Sequence, residues 1–202
     1  EMNTRLQVEH PVTEMITGVD LVKQQILVAK GEKLAFKQSD LSISGHAIEL
    51  RVYAEDPTNN FLPDIGVLTG YTRPSGIGVR VDDGFEEGME IPIFYDSMIS
   101  KLITYGANRA ESLGRMSRAI SDYKIVGIQT TLPFGAFVMK HPSFISGNFD
   151  THFVPKHYKS NLLESPSNHE KMIAAWYVSK LFSEYKSTST SKMHSDQSNW
   201  KK

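Results

Sequence analysis

Glu1-Met2-Asn3-Thr4-Arg5-Leu6-Gln7-Val8-Glu9-His10-Pro11 opens the chain, and its residues alternate. Glu1, Asn3, Arg5, Gln7 and Glu9 share one parity; Met2, Leu6 and Val8 share the other. A period of two predicts a strand with one polar and one apolar face. His10-Pro11 should end it, because proline has no backbone donor and restricts the residue before it. Neighbours on the polar face would lie roughly 6–7 Å apart, twice the rise per residue. Glu1 and Asn3 offer hard oxygen donors suited to Mg²⁺ held against phosphates. Arg5 offers a planar fork that matches a small oxyanion. Glu9 is a candidate general base whose acidity Arg5 and burial would set. By pattern alone, the plainer account is a strand with one solvated face and some cross-strand ion pairs, as antiparallel sheets commonly have.

Further along, Asp20 should cap a helix running to about Lys30, with Gly31 at the left-handed position that ends it. Residues 45–55 alternate again. His46, Ile48, Leu50, Val52 and Ala54 face one way, and Glu49, Arg51, Tyr53 and Glu55 the other. Short glycine-punctuated strands are expected near residues 66–71 and 78–81. Residues 97–105 are apolar on both parities apart from Lys101 and small hydroxyls, which predicts a central, buried strand. Amphipathic helices are expected from Asn108 to about Tyr123, from Thr131 onward with Pro133 in its first turn, and over 169–185. Residues 186–202 are rich in Ser, Thr and Lys and read as a disordered tail.

With 202 residues, the chain is large enough for one or two domains at about 150 residues each. Apolar residues make up 40% of it, enough for a packed core. The 22 Lys and Arg nearly balance the 23 Asp and Glu, which argues against a broad nucleic-acid or membrane footprint. No apolar run approaches the roughly 20 residues of a membrane helix. There is no cysteine, so disulfides, thiolate metal sites and cysteine nucleophiles are excluded, and a reducing compartment is compatible. The first residue is not methionine, so Glu1 reads as a cut point in a longer chain.

The wording of the opening segment, continued through His10-Pro11-Val12-Thr13-Glu14-Met15, closely resembles the catalytic strand of biotin carboxylases, which are ATP-grasp enzymes. The resemblance continues through Gly18-Val19-Asp20-Leu21-Val22 and Gly45-His46-Ala47-Ile48-Glu49-Leu50-Arg51-Val52-Tyr53-Ala54-Glu55-Asp56-Pro57. It extends to Phe61-Leu62-Pro63, Gly76-Ile77-Gly78-Val79-Arg80 and Tyr95-Asp96-Ser97-Met98-Ile99-Ser100-Lys101-Leu102, and fades after about Tyr158. Glu1-x-Asn3-x-Arg5 alone is shared with other ATP-grasp ligases. Joined to Gln7-Val8-Glu9-His10-Pro11 and the Arg51 segment, it is far more specific.

The resemblance implies a role for each matched position. Glu1 and Asn3 match ligands of the divalent ion, Mg²⁺ or Mn²⁺, held against ATP phosphates. Arg5 matches the catalytic arginine beside bicarbonate, Val8 a backbone contact to it, and Glu9 the base that deprotonates it. Arg51 matches the arginine that contacts bicarbonate and stabilises the enolate form of biotin. From the strand pattern alone, Arg51 would instead be half of a surface ion pair with Glu49 or Glu55. His10 and His46 read as structural hydrogen-bonding histidines, and Lys101 and Asp96 as structural ion-pair residues. Ile77 and Arg80 fall where bacterial relatives form a dimer contact.

The implied function is ATP-dependent carboxylation of biotin with bicarbonate, within an acyl-CoA or related carboxylase. Its implied partners are a biotin carboxyl carrier protein or domain and a carboxyltransferase, and a homodimer is a further expectation. The implied location is the cytoplasm, or the mitochondrial matrix in a eukaryote. No glycine-rich phosphate loop and no Ala-Met-Lys-Met carrier motif occur in the sequence, so biotin would arrive on another domain or polypeptide. The expected fold is α+β. Residues 1–44 would end an ATP-grasp domain, 45–158 would form the biotin carboxylase C-terminal domain as an antiparallel sheet with packed helices, and 159–185 a terminal helical region. A second reading makes residues 45–158 a non-catalytic scaffold and dimerisation module. A third, another ATP-grasp ligase, leaves Gln7 to His10 and the Arg51 segment unexplained.

Overall fold

The structure is a computed structural model that describes residues 2–92, 94–159, 162 and 168–191. The chain divides into two compact units, Glu1–Leu163 and Glu164–Lys202. In the first, the elements in order are α1 (His10–Thr17), α2 (Leu21–Ala29), β1 (His46–Tyr53), β2 (Glu55–Asp56), β3 (Leu62–Pro63), β4 (Gly70–Thr72), β5 (Val79–Asp83) and β6 (Met98–Gly106). They are followed by α3 (Arg109–Asp122), β7 (Lys124–Val126), α4 (Leu132–Lys140), α5 (Pro142–Ser146) and α6 (Phe153–His157). Helices and antiparallel strands thus share one unit, the α+β arrangement expected.

The main sheet has the order β1-β6-β5, both pairings antiparallel. β6 is the central strand, as its two-sided apolar pattern predicts. Because side chains alternate, the register builds two opposite surfaces. Leu50, Leu102 and Val81 form one cross-strand row, and Arg51, Lys101 and Asp82 the next, on the other face. The first surface is covered by α3, whose buried Ser112, Leu113, Met116, Ala119 and Ile120 follow helical spacing. Asn108 caps α3 by accepting the Glu111 N–H. α4 packs on α3, and Leu68, Ile91, Ile99, Leu102 and Met116 are enclosed in the core. Each such side chain contributes about 1.5–3 kcal/mol through burial.

α1 covers part of the second surface. Here the structure corrects the sequence reading. Residues 2–9 form no strand, and His10-Pro11 starts a helix instead of merely ending an extended segment. An alternating segment becomes a strand only beside another strand that completes its hydrogen bonds. None of the described strands pairs with residues 2–9. Instead the His10 and Val12 N–H groups donate back to Gln7 and Glu9 and close a turn. Proline's fixed φ suits a first helical turn, and Gly18, at φ 72°, ends the helix. α2 forms as expected, with Asp20 accepting the Lys23 N–H at 2.8 Å.

The second unit contains α7 (Asn168–Ser191). This helix runs six residues into the stretch expected to be a disordered tail. No glycine or proline interrupts 168–191, and Ser, Thr and Lys cost a helix only tenths of a kcal/mol each, so nothing local stops it at Tyr185. The rest of that expected tail, 192–202, lies outside the described residues. No helix among the described residues is long and apolar enough to cross a membrane.

Candidate active site

The charged surface of the sheet organises the site. Lys101, 12% exposed on the central strand, places Nζ 3.4 Å from the Asp82 carboxylate. The same ammonium donates to the Val8 carbonyl at 3.2 Å. Arg80 donates to Asp82 at 2.7 Å and to Glu14 of α1 at 2.8 Å. Asp82 and then Glu14 hold the Arg80 guanidinium above its ordinary value, against the effect of burial. These contacts tie α1 and the turn before it to the sheet.

The consequence is that Glu9 reaches Arg51, 42 residues away in sequence, and its Oε2 accepts from Nη2 at 3.0 Å. The two side chains are 56% and 42% exposed. A pair this wet holds together with at most about 1 kcal/mol, so an incoming anion can displace the Glu9 carboxylate from Arg51. On its inner side, Arg51 Nε lies 3.9 Å from Glu49 Oε1. Burial works against the Arg51 charge. A hydrogen bond with Tyr53 and the carboxylates of Glu9 and Glu49 outweigh it and hold the guanidinium above its ordinary value.

The other expected site residues are placed less closely. Arg5 is exposed and donates to the Leu6 carbonyl at 3.4 Å. Arg5, Gln7 and Glu9 nonetheless line one cavity of about 640 Å³, together with His10, Thr13 and Gln24 of α2. The expected row of evenly spaced polar groups is thus replaced by a turn that bends them around a hollow. Arg51 is not among the residues lining this cavity; it meets the segment through Glu9. Asn3 is exposed, and Glu1 lies outside the described residues. His10 is structural, its Nδ1 2.7 Å from the Gln7 carbonyl. His46 is satisfied by Arg109 at 3.0 Å, and burial and then Arg109 push its pKa down.

Sequence reasoning missed two features. Lys101 stands as the polar exception on a buried strand, but its grip on Val8 depends on a turn the alternation did not reveal. Glu49 was expected as a surface partner of Arg51; its side chain is 5% exposed, and Oε2 is buried without a hydrogen bond. Burial raises the Glu49 pKa, against the pull of Lys101 and Arg51.

Comparison with known proteins shows the family. Residues 49–156 match the biotin carboxylase C-terminal domain, and residues 1–37 match the carbamoyl-phosphate synthase L chain ATP-binding domain. The chain is 53% identical to biotin carboxylase 1 of Bacillus subtilis, over 76% of this chain and 34% of the relative. It is 50% identical to the mitochondrial propionyl-CoA carboxylase alpha chain of Rattus norvegicus, over 86% of this chain and 24% of that one. A crystal structure of the Hydrogenobacter thermophilus 2-oxoglutarate carboxylase biotin carboxylase domain dimer, in complex with MgADP and bicarbonate, superposes with a TM-score of 0.79. It shares 44% identity, over 83% of this chain and 36% of that one. The chain belongs to the biotin carboxylase family and carries its C-terminal domain. It spans about a third of the length of the curated relatives first matched.

Proposed function

We propose that these residues serve an enzyme that uses ATP and bicarbonate to carboxylate biotin on a carrier protein or domain, as one component of an acyl-CoA or related carboxylase with a carboxyltransferase. The observation that carries this reading is the 3.0 Å pairing of Glu9 with Arg51, set beside the Val8 carbonyl that Lys101 holds. A base and a guanidinium are thereby brought together where one small anion can meet both.

In this reading Arg5 and Arg51 bind the bicarbonate oxygens with their planar N–H forks. The Val8 backbone adds a contact to the same anion. Glu9 leaves Arg51 and accepts the bicarbonate proton on its carboxylate. ATP, when bound, supplies the phosphoryl group that activates bicarbonate. Arg51 then stands beside the ureido oxygen of biotin and stabilises the negative charge that grows there when the ring nitrogen gives its proton to the phosphate released as activated bicarbonate breaks down to CO₂. A divalent ion against phosphates takes one or two carboxylates. Among the described residues no group of three His, Cys, Asp or Glu could hold a metal, and Asn3 is a single neutral donor. Of the implied pair only Asn3 is described, and it does not build a metal site by itself.

The test is biotin-dependent ADP release by the complete polypeptide supplied with ATP, Mg²⁺, bicarbonate and free biotin. Stimulation by biotin is the expected result; its absence would sink the proposal.

A homodimer is the second part of the reading, favoured by Ile77. This side chain is 84% exposed and precedes β5, an edge strand of the main sheet. An exposed apolar residue at a sheet edge suits an interface. Sedimentation velocity should show a dimer that Ile77→Asp shifts to monomer. A wild-type protein that stays monomeric at high concentration would contradict it.

A further inference from the structure

Glu49 has no role in the chemistry above. It sits on β1 two residues before Arg51, on the same face. The carboxyl is enclosed, with Oε1 on the Nε side of Arg51 and Oε2 buried without any hydrogen bond. Such an oxygen lacks the hydrogen bond that buried polar atoms ordinarily make. The charged neighbours acting on it are Lys101, Arg51, Glu9 and His10.

Arg51 therefore stands between two unequal carboxylates. Glu9 takes the solvent-side Nη2 and is carried on the turn before α1. Glu49 lies behind the guanidinium on a paired strand. If Glu9 is to take the bicarbonate proton, it must release Arg51. The guanidinium then loses its carboxylate hydrogen bond, and the acceptor with unused capacity beside it is Glu49.

We infer that Glu49 is a positioning residue for Arg51, holding the guanidinium in place while Glu9 is turned to bicarbonate. The inference rests on the biotin carboxylation reading. A neutral amide of the same shape would keep the packing but lose the charge that anchors Arg51.

The test is a double-mutant cycle in the complete polypeptide, reading kcat and KM for biotin-dependent ADP release. Glu49→Gln should lower kcat about tenfold while leaving the KM for ATP unchanged. Glu49→Asp, which keeps the charge, should recover part of the loss. In an Arg51→Ala background, Glu49→Gln should change the rate by less than about twofold, because its partner is already gone. A wild-type rate for Glu49→Gln, or the same loss in both backgrounds, would overturn the inference while leaving the parent reading intact. A wild-type protein without biotin-dependent ADP release would overturn both. Circular dichroism checks folding, and if Glu49→Gln does not fold, Glu49→Ala, which also removes the carboxylate, takes its place in the cycle with the same expected and overturning results.

Discussion

Arg51→Ala should lower biotin-dependent ADP release about 100-fold or more in the complete polypeptide, the loss typical of removing one fixed donor from a developing negative charge. Arg51 is held from two sides, by Glu9 at 3.0 Å and by Glu49 behind it, so its fork is set before substrate arrives. Without it, the charge on biotin would form beside water and neutral dipoles. Arg51→Lys should fall between, since lysine restores the charge but not the planar fork. The solvated pair with Glu9 accounts for less than about 1 kcal/mol of stability, and any loss beyond that reports the enclosed Glu49 left without its partner. Urea midpoints alongside the rates separate the two effects. An unchanged rate would remove the role assigned to Arg51.

Leu102→Ala should have the largest effect on stability. Leu102 is fully buried on the central strand, between Leu50 and Val81 in one cross-strand row. Strands on both sides and α3 above leave little room for collapse, so the cavity term adds to the lost burial. The expected cost is about 3–4 kcal/mol, or roughly 10 °C in melting temperature for a unit of this size. Urea unfolding followed by circular dichroism should show the midpoint fall with an unchanged slope. A loss below about 1 kcal/mol would mean that the core repacks around the gap.

How much of this was legible depended on where each signal resides. β1, β6 and α3 could be read because local patterning and tertiary burial agree there, and α2, which buries no side chain, because its Asp20 cap is a local signal. Lys101 even marked itself as the exception on a buried strand. Residues 2–9 misled because alternation describes a face, and a face becomes a strand only when a neighbour pairs with it. Pro11 was read as a stop, although the same residue type was read as a helix start at Pro133. The distinguishing fact, that the Val12 N–H returns to the Glu9 carbonyl, is a product of folding. The site was legible as residue types but not as pairs. Glu9 and Arg51 were both singled out, yet their meeting depends on Lys101, Asp82, Arg80 and Glu14 docking α1 on the sheet. Glu49 was readable by parity as a neighbour of Arg51, but its burial was not, since that depends on what covers the strand.

The two surfaces of the main sheet differ in how firmly they hold what lies on them. α3 buries five side chains, whereas α1 fully buries Pro11 alone and is held besides by half-buried side chains and the Glu14–Arg80 ion pair. Local opening free energies follow buried apolar contact, so α1 can lift away while the strands beneath stay paired. Amide hydrogen exchange around Glu9 should therefore be faster than along the strand that carries Arg51. Added salt, which weakens the ion pairs more than the core, should widen that difference.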